Sequence, residues 1–156
     1  MFCITSNNEE DTRQIAKTIA SFFRPGDLVI LDGELGAGKT YFVKGFSEGL
    51  QSADPVSSPT FSIANFYRTP FADILHIDLY RIATVDELND LGLFDYFGQS
   101  IVLIEWGMKM ADSFEDYLLV TFTIEDDNTR ILTFDSHGAK YDMNELKNIL
   151  KGDSLC

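Results

Sequence analysis

Two short apolar runs stand out in the pattern of hydrophobic and polar positions along this chain. Residues 28–31 and 101–104 consist of apolar side chains without a polar interruption. Such runs are typical of strands that are buried on both faces, as in a parallel sheet. Strands are also predicted at 61–67 and 74–80. Residues 118–124 and 131–134 predict a hairpin that turns near Asp126-Asp127-Asn128.

Apolar residues at helical spacing predict helices between these strands. The first helix follows Ser6, which has the spacing of a capping box with Glu9, and it ends at Arg24-Pro25-Gly26. Other helices are predicted after Thr40, at 85–91 with Thr84 as the cap, and from about Asp142 to Lys151. The pattern predicts an α/β fold, a mixed and partly parallel sheet flanked by helices with an antiparallel hairpin at one edge. The absence of linkers and repeats predicts one domain over residues 1–156.

A glycine-rich segment joins the first apolar strand to the helix after it. Residues 33–40 match the pattern G-x-x-x-x-G-K-[ST] at every fixed position. In such a loop, backbone amides and the positive end of the following helix surround the phosphates of a nucleotide. Lys39 is expected to reach the β- and γ-phosphates, and the Thr40 hydroxyl to ligate Mg²⁺. The predicted nucleotide-binding residues here are Gly33, Glu34, Leu35, Gly36, Ala37, Gly38, Lys39, Thr40 and Tyr41.

Acidic residues follow two of the predicted strands. Glu105 comes directly after the 101–104 run, where P-loop proteins place an acid that faces the metal ion, and Asp78 follows residues 74–77. We therefore expect Lys39, Asp78 and Glu105 to be catalytic, and Thr40 and Glu105 to hold the metal.

Several other residues near these motifs have ordinary structural explanations. The residues alone favour a capping role in a turn for Thr60 and burial in the core for Trp106. His76 is flanked by apolar strand residues and is expected to be structural. Arg81 and Arg130 stand near strand ends, where either could touch phosphate, but a surface role is favoured for both.

The charge balance argues against a nucleic-acid-binding face. The net charge is −13, from 12 basic and 25 acidic residues, whereas direct binding to DNA or RNA normally needs a basic surface. An acidic surface suits solubility or docking to a basic protein. No apolar run approaches the roughly 20 residues that a membrane-spanning helix needs. The beginning of the chain lacks the regions of a signal peptide, and the expected location is therefore the cytoplasm.

The motifs follow one another in an order that resembles the bacterial TsaE family, also called YjeE. After the glycine-rich loop come Ser58-Pro59-Thr60-Phe61, then His76-Ile77-Asp78-Leu79-Tyr80-Arg81, and then Ile104-Glu105-Trp106. The resemblance covers about residues 6–135. Members of this family are the ATPase subunit of the machinery that makes N6-threonylcarbamoyladenosine at position 37 of tRNA.

This resemblance implies a site and a set of partners. It implies ATP at the glycine-rich loop, Mg²⁺ held by Thr40 and Glu105, and a role for Asp78 in hydrolysis. It places Thr60 in a switch-like loop and Trp106 near the nucleotide, against the expectation from the residues alone. It also implies the partner proteins TsaD and TsaB, with tRNA contacted only indirectly and with hydrolysis that is slow until the partners stimulate it.

Three alternatives to this ATPase fit the sequence less well. A small-molecule kinase usually clamps the transferred phosphoryl group with several arginines, but this chain has five scattered ones. A GTPase would need the guanine-reading Asn-Lys-x-Asp motif, which is absent. A non-hydrolysing ATP-sensing adaptor is disfavoured by the intact Lys39, Thr40 and Glu105, although the sequence does not set a rate. Tyr41 departs from the family pattern, where a small or hydroxyl residue is common.

Overall fold

Seven strands form a single sheet in the computed structural model, which describes residues 1–150. The strands are β1 (Phe2–Ser6), β2 (Leu28–Gly33), β3 (Ala64–Tyr67), β4 (Ile74–Asp78), β5 (Ile101–Glu105), β6 (Tyr117–Ile124) and β7 (Arg130–His137). The α-helices are α1 (Glu9–Ile19), α2 (Lys39–Gly49), α3 (Val85–Asp90) and α4 (Met143–Leu150). Short 3-10 helices span Ala20–Phe22, Leu93–Tyr96 and Gly107–Ser113.

The strand order is β1-β7-β6-β2-β5-β4-β3, and its four central strands, β6, β2, β5 and β4, run parallel. Antiparallel strands lie outside them, with β7 and β1 at one edge and β3 at the other. The predicted α/β fold with a mixed sheet and an antiparallel hairpin is therefore confirmed. Strand β1 was not predicted, and it covers the outer edge of the β6–β7 hairpin.

The central strands are buried on both faces because helices lie on both sides of the sheet. Along β2, Val29 and Leu31 face the core under α1, α2 and α4. The alternate residues, Leu28 and Ile30, face a second core that includes Leu88 of α3. This arrangement explains why the sequence of β2 is a continuous apolar run rather than an alternating one.

Helices α1 and α2 pack against each other through glycines. A Cβ atom on Gly45 would overlap the carbonyl group of Arg13, and one on Gly49 would overlap that of Lys17. The Arg13 guanidinium also forms an ion pair with Glu48, at 2.7 Å between Nη2 and Oε1. Since α2 begins at the glycine-rich loop, this contact fixes α1 relative to that loop.

The sequence signals that predicted the ends of helices and strands are confirmed only in part. The capping box at Ser6 is wrong, because Ser6 belongs to β1 and the cap of α1 is Asn8, whose side chain accepts from the Asp11 amide. The predicted Thr84 cap is confirmed by its bond from the Glu87 amide. Strand β3 begins at Ala64 rather than 61, because the preceding residues form a turn.

Near the end of the described residues, Asp142 caps α4 as predicted, accepting from the Asn144 and Glu145 amides. The predicted last residue of that helix, Lys151, lies outside the described residues. No helix within residues 1–150 is long and apolar enough to cross a membrane.

Candidate nucleotide-binding site

The glycine-rich loop lies between β2 and α2, in the setting that its pattern predicts. Gly38 caps α2 in a left-handed conformation, with φ of 107°, which a residue with a Cβ rarely adopts. Gly33 and Gly36 also have positive φ values. A Cβ on Gly33 would lie 2.9 Å from the Phe122 carbonyl oxygen of β6. The loop conformation therefore depends on glycine at both ends.

Lys39 is buried at the base of this loop. Its ammonium group donates to the carbonyl oxygens of Gly33 and Glu34, at 2.6 and 3.0 Å. The same nitrogen lies 4.5 Å from the centre of the Trp106 ring. Burial lowers the pKa of Lys39, and the nearby carboxylates of Glu105, Asp32 and Asp78 oppose that effect. A buried cation with nearby acids is an arrangement that would accommodate phosphate oxygens.

Asp78 and Glu105 lie side by side at the ends of two parallel strands. They are register partners in the β4–β5 pairing, and they are 3% and 4% exposed. The carboxyl ends of parallel strands meet at one edge of a sheet, where ligands of α/β proteins bind. The structure thus brings together Lys39, Asp78 and Glu105, which the sequence predicted as a catalytic set.

Thr60 reaches this pair from the segment that precedes β3. Its hydroxyl donates to Asp78 Oδ2 at 2.9 Å and lies 2.8 Å from the Ser58 hydroxyl. The other oxygen of Asp78 accepts from the Tyr80 amide at 2.8 Å. The capping role that the residues alone favoured for Thr60 does not describe these contacts, because its side chain binds an acid of the cleft instead.

His76 contacts Glu105 on the same face of the sheet. It lies two residues before Asp78 on β4 and is fully buried, and its Nε2 is 2.9 Å from Glu105 Oε1. This contact was not predicted, because a histidine among apolar strand residues resembles a core residue. The available signal was its spacing of two from Asp78, which places both side chains on one face of a strand.

Trp106 is partly buried: it packs against the second core, as the residues alone favoured, and it also lines the cleft. It has φ of 61° at the start of a 3-10 helix, which turns its side chain from the strand direction towards Lys39. Its ring centre lies 5.3 Å from that of the exposed Tyr80. The position near the nucleotide that the family resemblance implied for Trp106 stays a prediction.

A cleft of about 880 Å³ connects these residues. One wall is the beginning of α1, and another is the turn before β7. Its lining includes the predicted residues Leu35, Gly36, Ala37, Gly38, Lys39, Thr40, Tyr41, Thr60, Asp78, Glu105 and Trp106. Gly33 and Glu34 act through the carbonyl groups that bind Lys39.

The cleft also includes residues that the sequence analysis did not assign to it. They are Asn8, Glu9, Glu10, Thr12, Ser58, Tyr80, Asp127, Asn128 and Arg130. Arg130, for which a surface role was favoured, lies with Nη2 3.5 Å from the Gly36 carbonyl oxygen. Ser58 and Tyr80 stand in motifs that carry the family resemblance, but no local pattern points to the others, which the fold brings to the loop from distant parts of the chain.

A parallel central sheet with a glycine-rich loop at the end of β2 defines a protein with a P-loop NTPase-like fold. Comparison with known proteins gives the family. The family model described as "Threonylcarbamoyl adenosine biosynthesis protein TsaE" matches residues 6–132. The chain therefore belongs to the TsaE family, which is involved in the biosynthesis of threonylcarbamoyladenosine in tRNA.

Individual relatives agree with this assignment. The chain is 42% identical over 138 residues to the "tRNA threonylcarbamoyladenosine biosynthesis protein TsaE" of Bacillus subtilis (strain 168), a match that covers 87% of this chain and 86% of that protein. The protein of the same name from Rickettsia typhi is 33% identical, with 88% and 97% covered. The crystal structure of YdiB from Bacillus subtilis superposes with a TM-score of 0.76 at 34% identity, and covers 97% of this chain and 96% of that one.

Proposed function

We propose that this chain binds ATP with Mg²⁺ and hydrolyses it, as a subunit of the machinery that makes threonylcarbamoyladenosine in tRNA. The observation that carries the proposal is the meeting of Lys39, Asp78 and Glu105, each at most 5% exposed, beside the glycine-rich loop. Buried ionisable groups of opposite charge that converge in a cleft are typical of catalytic sites.

The residues of the cleft fit a magnesium nucleotide. Its volume, about 880 Å³, lies in the range of small-molecule sites. Hydroxyl and carboxylate oxygens, from Thr40, Thr60, Asp78 and Glu105, are the hard ligands that Mg²⁺ prefers. Thr40 and Glu105 would hold the ion, which supplies neutralisation of charge on the phosphate oxygens.

The protein groups would divide the remaining tasks. Lys39 exchanges its two carbonyl contacts for phosphate oxygens, whose negative charge favours its protonated form. Asp78, whose Oδ1 is fixed by the Tyr80 amide, orients the attacking water from the side of Thr60. The half-buried Trp106 ring covers Lys39 and keeps bulk water from it.

The proposed partners are the proteins TsaD and TsaB, and the proposed location is the cytoplasm. A net charge of −13 suits docking to basic protein surfaces and disfavours direct binding to the tRNA phosphate backbone. Hydrolysis that is slow alone and stimulated by partners is typical of P-loop switch proteins.

The test is steady-state phosphate release from ATP and Mg²⁺, by the chain alone and then with TsaB, TsaD and tRNA. Lys39→Ala should abolish ATP binding, whereas Glu105→Ala should retain most of the binding and lose Mg²⁺-dependent hydrolysis. The exposed residues Lys17 and Glu115 give matched controls, since Lys17→Ala and Glu115→Ala should leave both activities unchanged.

The outcomes distinguish the proposed ATPase from its rivals. Hydrolysis that the partners stimulate, and that Glu105→Ala removes, supports it. Equal hydrolysis by wild type and Glu105→Ala would contradict the role of Glu105. ATP binding without hydrolysis under any condition would favour the adaptor, and phosphoryl transfer to an acceptor molecule would favour the kinase.

A further inference from the structure

A chain of hydrogen bonds runs from Glu105 through the core to the segment before β3. Glu105 Oε1 lies 2.9 Å from Nε2 of His76, and Nδ1 of His76 lies 2.9 Å from the Tyr67 hydroxyl oxygen. That hydroxyl oxygen lies 3.0 Å from the Ser57 carbonyl oxygen. Both nitrogens of a fully buried ring are therefore used, and the ring cannot rotate without losing a bond.

With a proton on Nε2, the His76 ring donates to Glu105 Oε1. The Tyr67 hydroxyl donates its proton to the Ser57 carbonyl oxygen, which also accepts from Asn65 Nδ2 at 3.1 Å. Burial raises the pKa of Tyr67, so its hydroxyl keeps this proton at neutral pH.

The two acids of the cleft are held in different ways. Asp78 is held by Thr60 and by the Tyr80 amide, both at the mouth of the cleft. Glu105 is held from below by His76, which is 0% exposed. Two neighbouring carboxylates repel each other, and a donor on the far side of one of them fixes its direction.

We propose that His76 is a positioning residue, which aims the carboxylate of Glu105 into the cleft and, through Tyr67, ties it to the segment 57–60 that carries Thr60. The proposal rests on the proposed magnesium site. His76 itself contacts no ligand: it acts through Glu105. Partners of this kind typically change metal affinity or activity about 10- to 100-fold when they are removed.

Two substitutions at this position separate positioning from simple packing. The amide nitrogen of His76→Gln occupies roughly the place of Nε2 and retains a donor for Glu105. That of His76→Asn resembles Nδ1, retains the contact with Tyr67 and leaves Glu105 without its donor. If His76 only packs in the core, the two substitutions should differ from each other in stability alone.

The readouts are ATP affinity, with Mg²⁺ and with EDTA, and kcat for phosphate release. Trp106 is the sole tryptophan and lies beside Lys39, so its fluorescence reports nucleotide binding without a label. His76→Asn should lose most of the gain in affinity that Mg²⁺ provides, and its kcat should fall about 10- to 100-fold. Its affinity in EDTA should be unchanged. His76→Gln should stay within about 3-fold of wild type in all three quantities.

Thermal melting of each variant shows that the measured protein is folded. The proposal is overturned if folded His76→Asn keeps the wild-type Mg²⁺ response and kcat, or if folded His76→Gln loses as much as His76→Asn. Where His76→Asn does not fold, Tyr67→Phe decides: a reduced Mg²⁺ response supports the proposal, and an unchanged one overturns it. A wild-type chain that binds no ATP would instead contradict the proposed function.

Discussion

The two halves of the sheet on either side of β2 bury different chemistry. On one side, β4 and β5 bury His76, Asp78 and Glu105 at their carboxyl ends. On the other side, the buried side chains of β6 and β7, such as Val120 and Phe134, are apolar within the described chain. The apolar side chains of both halves gain stability from burial, including residues 101–104 of β5, whereas the buried ionisable groups of β4 and β5 do not gain it in the same way.

This difference gives the β4–β5 half a task beyond stabilising the fold. Burying apolar surface stabilises the folded state by about 25 cal/mol per Å². Burying an ionisable group costs free energy unless hydrogen bonds or opposite charges compensate for it. Both halves therefore stabilise the fold through their apolar side chains, while the β4–β5 half also carries ionisable groups whose value lies in the proposed chemistry.

The largest expected effect is on stability, in the apolar half. Phe134 is fully buried and stacks on Phe2 with ring centres 5.1 Å apart. Phe134→Ala should lower the free energy of unfolding by about 3–5 kcal/mol, measured by urea denaturation. Ile124→Ala, at an exposed end of β6, should cost less than about 1 kcal/mol. The folded fraction of Phe134→Ala should bind ATP normally, and weakened binding would show that the halves are not independent.

In the β4–β5 half, a substitution of an acidic residue is expected to change activity more than stability. Asp78→Asn preserves shape but removes a buried negative charge beside Glu105. Its kcat for ATP hydrolysis should fall about 100-fold. The free energy of unfolding should stay the same or rise by up to about 1 kcal/mol, since like charges no longer repel. Asp73→Asn, at an exposed site just before β4, is the control. A large loss of stability in Asp78→Asn would contradict the division of tasks.

A smaller effect on stability is expected at the start of β2, the end that lies away from the glycine-rich loop. The Tyr141 hydroxyl donates to the Leu28 carbonyl oxygen at 3.2 Å and accepts from the Leu28 amide at 2.9 Å. Tyr141→Phe should destabilise by about 1–2 kcal/mol and leave ATP hydrolysis unchanged. A fall in kcat that exceeds the loss of folded protein would refute this separation along one strand.

The hydrogen bonds between Tyr141 and Leu28 also make the stability of the fold depend on pH. Burial raises the pKa of Tyr141 above its ordinary value of 10.0. Because the pKa of Tyr141 is higher in the folded state, the stabilising effect of its hydroxyl is complete below the pKa of the unfolded chain. That effect is lost as the pH rises above the unfolded pKa towards the folded one. The difference in stability between wild type and Tyr141→Phe should therefore be constant from about pH 6 to 9 and shrink above about pH 10.

The smallest expected effect concerns the link between Thr60 and Asp78. Thr60→Val keeps the shape and loses the hydroxyl that donates to Oδ2. One hydrogen bond of about 1 kcal/mol corresponds to a fall in kcat of about 5-fold. Thr60→Ser retains the hydroxyl and should stay near wild type. Identical rates for all three proteins would show that this contact does not serve hydrolysis.

Much of the fold could be predicted because its signals are local. The continuous apolar runs of β2 and β5 and the fixed positions of the glycine-rich loop lie within short segments. Strand β1 lacked such a signal, because Phe2–Ser6 is defined by its pairing with β7, more than a hundred residues later. The same pairing removed Ser6 from the helix cap that its local pattern suggested.

The site was predictable to the extent that its residues follow strands. Asp78 and Glu105 could be found because they end apolar runs. The roles of His76 and Arg130 depend on partners from other strands, such as Glu105, 29 residues from His76. A single sequence contains no local pattern for such contacts. The functions assigned to these residues stay predictions until the variants are measured.

The close packing of α1 on α2 has a consequence for the shape of the cleft. Gly45 does not line the cleft, yet its missing side chain sets how near α1 lies to α2. The first turn of α1, with Asn8 and Glu9, forms one wall, and the loop before α2 forms the facing one. A methyl group at position 45 would act as a spacer between two walls, and the width of the nucleotide cleft would change from a point outside it.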